Sequence, residues 1–181
     1  MMPIGSLMIE HRLIEKMIKR MTEELGSIER TRQVDERFIE EVVDFFQTYA
    51  DRCHHGKEED ILFREIRKRK VDPELLRTVE ELMHDHIMAR QMVRQLKDAN
   101  GRYSAGERTA IDEISQAMAG MIDLYPRHID KEDKHFFLNA MEVFTKQEQN
   151  DMLAEFNDFD RQLIHEKYRA IVERLTKNLP R

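Results

Sequence analysis

Apolar residues recur at helical spacing along nearly the whole chain, and few residues interrupt this pattern. Only six glycines and four prolines occur among the 181 residues, and aromatic residues make up 7%. Leu, Ile, Met, Glu, Lys and Arg are abundant, which favours long helices over strands. The sequence therefore predicts an all-α protein and argues against an all-β or α/β fold.

The hydrophobic period and the capping signals together predict six helical segments. Gly26 is the predicted stop of the first helix, Asp72-Pro73 opens the third, and predicted capping boxes begin at Ser104 and Thr145. The predicted segments are 4–25, 35–69, 72–101, 104–143, a shorter helix from residue 145, and 159–175. Because the connections are short, we expect residues 1–143 to form an antiparallel up-down four-helix bundle. Residues 144–181 would be a helical extension packed on the bundle, within a single domain.

Charge and cysteine content limit the compartment and the partners. The formal net charge is −6 with mixed signs along the chain, so no basic face for nucleic acid is expected. No apolar run approaches the roughly 20 residues needed to span a membrane. The single cysteine, Cys53, has no internal disulfide partner, which fits a reducing compartment. The sequence predicts a cytoplasmic protein that contacts neither membrane nor nucleic acid.

A short motif occurs twice, at residues 55–63 and 128–136. Each copy has a His, a Glu four residues later, an Asp directly after it, and a Phe four residues after the Glu. Spacing of four places the imidazole and the carboxylate on one helix face, about 5–6 Å apart at Cβ. The two pairs are His55 with Glu59 and His128 with Glu132. One pair alone is common as a solvated ion pair, but two pairs on separate helices indicate a shared site.

The helical phase decides which side chains face the interior. Residues at helical spacing from His55 are apolar apart from the pair itself, whereas those spaced from His54 are more polar. We therefore predict that His55 and Glu59 face the interior, and that His54 and Glu58 lie on the solvent side or behind the ligands.

Two other histidines lie on apolar stripes, His11 in the first predicted helix and His86 in the third. His84 and His135 are expected at the surface, and Tyr125 either donates to the site or packs beside it. The predicted metal ligands are His11, His55, Glu59, His86, His128 and Glu132.

A metal site explains this set better than a polar core does. A lone His on an apolar face is more often hydrogen-bonded than a ligand. Four inward histidines and two inward carboxylates need compensation, and Arg90 is the one obvious inward cation. Imidazole and carboxylate donors suit iron, zinc, copper or nickel.

This pattern resembles the hemerythrin-like, or HHE cation-binding, family over residues 4–143. The resemblance implies a four-helix bundle with two non-haem iron ions, terminal histidines, bridging Glu59 and Glu132, and an exchangeable position for a diatomic ligand. Oxygen-carrying members usually have a second His on the third helix, one turn from the first. Here Leu82 and Arg90 flank His86, which implies a more open site with one imidazole fewer.

Three functions remain open at this level, and with them whether the chain is an enzyme. The first is a binding protein that holds O2 or NO for storage or sensing. The second is a di-iron redox enzyme that handles NO or peroxide, or maintains iron centres, with an electron-donor protein as partner. The third is a helical scaffold without a functional metal. Manganese or zinc would accept similar ligands to iron.

Overall fold

The computed structural model describes the backbone of residues 2–177 and the side chains of residues 2–163. The described residues form five helical segments and contain no strand, so the predicted all-α class is confirmed. The segments are α1 (Pro3–Thr31), α2 (residues 36–67), α3 (Pro73–Ser104), α4 (residues 111–142) and α5 (Lys146–Lys177). Residues 178–181 of the predicted extension lie outside the described range. No helix within that range has the length and apolarity that a membrane span needs.

Two of the helices contain π-helical stretches, in which backbone hydrogen bonds run from i to i+5. In α2 these stretches are Phe46–His55 and Glu58–Phe63, and in α4 the stretch is Glu132–Phe136. π-Turns are rare and occur frequently at functional sites. Both copies of the repeated motif overlap such a stretch.

The buried side chains form two apolar clusters separated by a polar layer. The larger cluster includes Ile14, Ala50, Ala89 and Tyr125, and the smaller one includes Leu7, Ile61, Leu82 and Phe136. On each of α1–α4, buried histidines lie between members of the two clusters. α1 and α3 run from the smaller cluster to the larger, and α2 and α4 run in the opposite sense. The buried histidines of α1–α4 therefore lie together in the polar layer between the two apolar clusters.

Two predicted helix ends are confirmed. Asp72 accepts a hydrogen bond from the Glu74 backbone N–H at 2.8 Å, with Pro73 in the first turn. The Thr145 and Glu148 side chains accept from each other's backbone N–H at 3.3 and 2.7 Å, so this capping box is present.

Other predicted boundaries are wrong. Gly26 does not end α1, which continues to Thr31 and is closed by Arg32 in the left-handed conformation (φ 54°). Ser104 is the last residue of α3, and its hydroxyl bonds Glu36 at 2.6 Å instead of capping the next helix. The two segments predicted after residue 145 are one helix, α5.

Candidate metal centre

The polar layer holds two groups of potential metal ligands. Within each group, the donor atoms all lie within 4.8 Å of one another, and every residue is at most 4% exposed. The three-histidine cluster consists of His55, His86, His128 and Glu58, and the two-histidine cluster consists of His11, His54, Glu58 and Glu132. Glu58 belongs to both, so the clusters are adjacent parts of one centre.

The π-helical turn of α2 explains why two consecutive histidines both face this centre. In an α-helix, neighbouring side chains diverge by about 100°. The wider π-turn ends at His55 and changes this direction. His54 lies against His11, with ring centroids 4.6 Å apart, and His55 stacks on His86 at 3.8 Å. One helix therefore supplies an imidazole to each cluster.

The structure brings five of the six predicted ligands into the clusters; these are His11, His55, His86, His128 and Glu132. Glu59 is in neither cluster. Its Oε1 atom accepts from His86 Nδ1 and from Arg90, each at 2.7 Å. Glu59 therefore lies behind a cluster histidine and contacts it from outside.

The prediction that His54 and Glu58 lie on the solvent side or behind the ligands is wrong. They are 1% and 0% exposed and point into the centre. The prediction assumed a constant period of 3.6 residues, which the π-turns break. As expected, His84 and His135 are exposed. Tyr125 is buried parallel to His55, with ring centroids 6.4 Å apart.

Each of the five cluster histidines has its Nδ1 atom on a carboxylate. The pairs are His11 with Asp133 (2.7 Å), His54 with Glu10 (2.9 Å), His55 with Asp51 (3.3 Å), His86 with Glu59 (2.7 Å) and His128 with Asp85 (3.3 Å). Such a carboxylate fixes the tautomer with the proton on Nδ1 and raises the basicity of the ring. The lone pair on Nε2 is then directed at the centre.

Every one of these carboxylates also contacts a basic side chain further out. Arg12 pairs with Asp133, Lys57 with Glu10, Arg90 with both Asp51 and Glu59, and Lys131 with Asp85. Burial alone would raise the pKa of Asp51, but hydrogen bonds from His55 and Arg90 lower it below the usual value. The centre is therefore held in three layers, from imidazole to carboxylate to cation.

Several buried donor atoms lack a partner and fit a cation. Both carboxylate oxygens of Glu58 and of Glu132, and Nε2 of His86 and of His128, have no hydrogen-bond partner among the described residues. Nε2 of His11 lies 3.0 Å from Nε2 of His54, although the carboxylates favour a lone pair on both atoms. Buried unpaired polar atoms are costly, and a coordinated cation removes that cost. The donor set of nitrogens and carboxylate oxygens suits iron, zinc or manganese.

Without metal, protons occupy part of the centre. Burial and the charge of Glu132 raise the pKa of Glu58 well above its usual value. Burial lowers the pKa of His11, but contacts with Asp133 and Glu132 outweigh it and raise the pKa to about 9. Burial and neighbouring imidazoles lower the pKa values of His54 and His86, which stay neutral.

Metal uptake at pH 7 is therefore expected to release protons, from His11 and from Glu58, because ligands bind metal in their deprotonated form. The number follows from calorimetric titrations in buffers of different ionisation enthalpy. Since protons and metal compete, the apparent affinity should fall as the pH falls. Uptake with no proton release would contradict this expectation.

A cavity of about 190 Å³ lies beside the three-histidine cluster and touches one of its members, His55. His55, Asp51, Arg90 and Tyr125 are among its lining residues. A water molecule takes up about 30 Å³, so the cavity suits small molecules. It places space for a small molecule next to His55.

Fold and site together define a class: an all-helical protein with a buried centre of histidines and carboxylates that can hold cations. The hemerythrin HHE cation-binding domain family matches residues 2–139, and the chain belongs to this family. No curated protein and no solved structure matches the chain. The matched residues include every member of both clusters, and they end before α5 begins.

Proposed function

We propose that the protein holds two non-haem iron ions and binds a small diatomic ligand, O2 or NO, for storage or sensing. The observation that carries this proposal is the pair of buried clusters that share Glu58, with carboxylate oxygens that lack a donor. One ion would be held by the three-histidine cluster and the other by the two-histidine cluster. Iron in such a centre supplies a redox-active position for the small ligand.

Two carboxylates would be shared between the two ions. Glu58 is a member of both clusters. Glu132 belongs to the two-histidine cluster, and its Oε2 atom also lies 3.3 Å from His128 Nε2. The proposed ligand set therefore replaces Glu59 with Glu58 and adds His54. Its members are His11, His54, His55, Glu58, His86, His128 and Glu132.

The number of imidazoles affects the choice between functions. The sequence predicted four histidines and thus a more open site. His54 brings the number to five, which offsets the Leu82 and Arg90 that flank His86 where a second helix-3 histidine is usual. The cavity beside His55 supports access for a small ligand. These features favour a binding protein over an open, general redox site.

We also propose that α1–α4 form an antiparallel up-down bundle, with α5 as an extension in the same domain. The alternating order of the two apolar clusters along α1–α4 supports this topology. Contacts of α4 with α1 and α3, and of α3 with α2, agree with it.

Metal analysis and visible spectroscopy test the proposed function. Protein prepared without oxygen should contain about two iron ions per chain, since each cluster offers donor atoms from four residues, of which Glu58 is shared. Its spectrum should change in air or with NO and return on degassing. Sustained turnover with an electron donor would instead identify a redox enzyme. Protein from its native host that carries no stoichiometric metal would overturn the proposal.

A further inference from the structure

Lys57 is a fully buried lysine that lies outside both metal clusters. Its side chain is 0% exposed, and buried lysines are rare unless they are paired. The ammonium group bonds Glu10 of α1 and, at 3.0 Å, Asp160 of α5. The other oxygen of Glu10 accepts from His54 Nδ1 at 2.9 Å. A continuous polar chain thus runs from a cluster histidine to α5.

A second contact places α5 directly on the ligand-bearing part of α2. A Cβ atom at Gly56 would lie 2.7 Å from the Phe159 ring, so only glycine allows the ring to approach this closely. The thiol of Cys53 also donates to Asp160 at 3.2 Å. Residues 53–57, which α5 contacts, include both His54 and His55.

We propose that docking of α5 and occupancy of the metal centre stabilise each other, with Lys57 as the positioning residue between them. The inference rests on the proposed function, because it needs a metal at His54. A cation on Nε2 strengthens the donation of Nδ1 to the carboxylate behind it. This holds Glu10 in place to pair with Lys57. Asp160 of α5 is the second carboxylate that pairs with the Lys57 ammonium group.

The coupling must act in both directions. A metal that stabilises the docked helix is itself bound more tightly when the helix is docked. Losing Asp160 leaves a buried ammonium group with one carboxylate instead of two, and buried charges depend strongly on complete pairing. The helix lies beyond residues 2–139, so this support comes from outside the matched family region.

Metal release tests the first direction. In Asp160→Asn, transfer of Fe²⁺ to a chelator under anaerobic conditions should be faster, by up to about 10-fold, the lower end of the effect of residues that contact a ligand directly. Asp160 acts through Lys57 and Glu10, so a larger effect is not expected. Asp158→Asn is the matched control, because Asp158 is exposed on the same helix and pairs with Arg161. The control should release metal at the wild-type rate.

Hydrogen exchange of residues 146–163 tests the second direction. Exchange in the wild type should be slower with Fe²⁺ than without it, and this difference should shrink in Asp160→Asn. Gly56→Ala, which pushes Phe159 away, should act in the same sense without removing a charge. Two results would overturn the coupling alone. One is an Asp160→Asn variant that holds its full metal content and releases metal at the wild-type rate. The other is hydrogen exchange in the wild type that is the same with and without Fe²⁺. A wild type that takes up no metal would overturn the proposed function instead.

Discussion

Replacing Glu58 with glutamine is expected to abolish metal binding at both clusters, whereas Glu59→Gln should leave both ions in place. Glu58 is the one residue common to the two donor groups, so its loss affects both. Glu59 touches His86 from outside, at Nδ1. We expect a loss of affinity well above about 100-fold for Glu58→Gln, and about 10-fold for Glu59→Gln, as for other residues behind ligands.

The two variants form a matched pair, because they are the same change at neighbouring positions. Glu58→Gln should still fold, since burial and Glu132 hold the pKa of Glu58 high and a neutral amide resembles the protonated acid. Metal content after dialysis against a weak chelator measures the difference, and circular dichroism checks the helices. If Glu59→Gln empties the centre and Glu58→Gln does not, the ligand set read from the sequence is right.

Removing metal is expected to lower the midpoint of thermal unfolding by about 8–16 °C. A ligand at 1,000 times its dissociation constant stabilises the folded state by about 4 kcal/mol. For a chain of this size, each kcal/mol shifts the midpoint by about 2–4 °C. Calorimetry of metal-loaded and chelator-treated protein measures the shift.

The reason for this shift lies in the unpaired atoms of the centre. The carboxylates of Glu58 and Glu132 are both fully buried and have no hydrogen-bond donor among the described residues. A bound metal supplies the partner that these buried oxygens lack in the described part of the chain, and only the folded state brings all the donors together. Glu58→Gln serves as the control and should unfold at the same temperature with and without metal. A wild-type midpoint that does not respond to metal would contradict this explanation.

Three of the predicted ligands that the clusters contain lie where helical periodicity holds. His11 and His86 sit inside uninterrupted α-helices, so counting from neighbouring apolar residues gives their direction. His128 lies in α-helical Ile111–Lys131. His55 and Glu132 lie at the end and at the start of π-helical stretches, so the period does not fix their direction in the same way. The directions of His11, His86 and His128 follow from the local helical period, which can be read from a single sequence.

The directions in which the α2 side chains point could not be predicted in the same way. The π-helical stretches change the helical phase of the side chains along residues 46–63. The hydrophobic period of the sequence does not reveal this change. The sequence does hold a signal, because the tandem His54-His55 is followed by the tandem Glu58-Glu59. His54 with Glu58 and His55 with Glu59 each form a His-x-x-x-Glu pair. In α2 the Glu58 carboxylate lies in the centre, and the Glu59 carboxylate lies behind His86.

Four of the five outer carboxylates are also beyond sequence reasoning, because they cross between helices, whereas Asp51 and His55 are four residues apart on α2. Glu10 is adjacent to His11 in sequence but bonds His54. Asp85 is adjacent to His86 but contacts His128. Such pairings depend on how the helices pack, and neighbours in sequence give the wrong partner.

The π-turn of α2 also bears on how such centres change during evolution. One residue fewer within Phe46–His55 would rotate the side chains that follow by about 100° relative to those before. The imidazoles of His54 and His55 would then no longer both face the metal centre. We therefore expect a single-codon deletion in this stretch to change the number of nitrogen ligands, without any substitution at a ligand position.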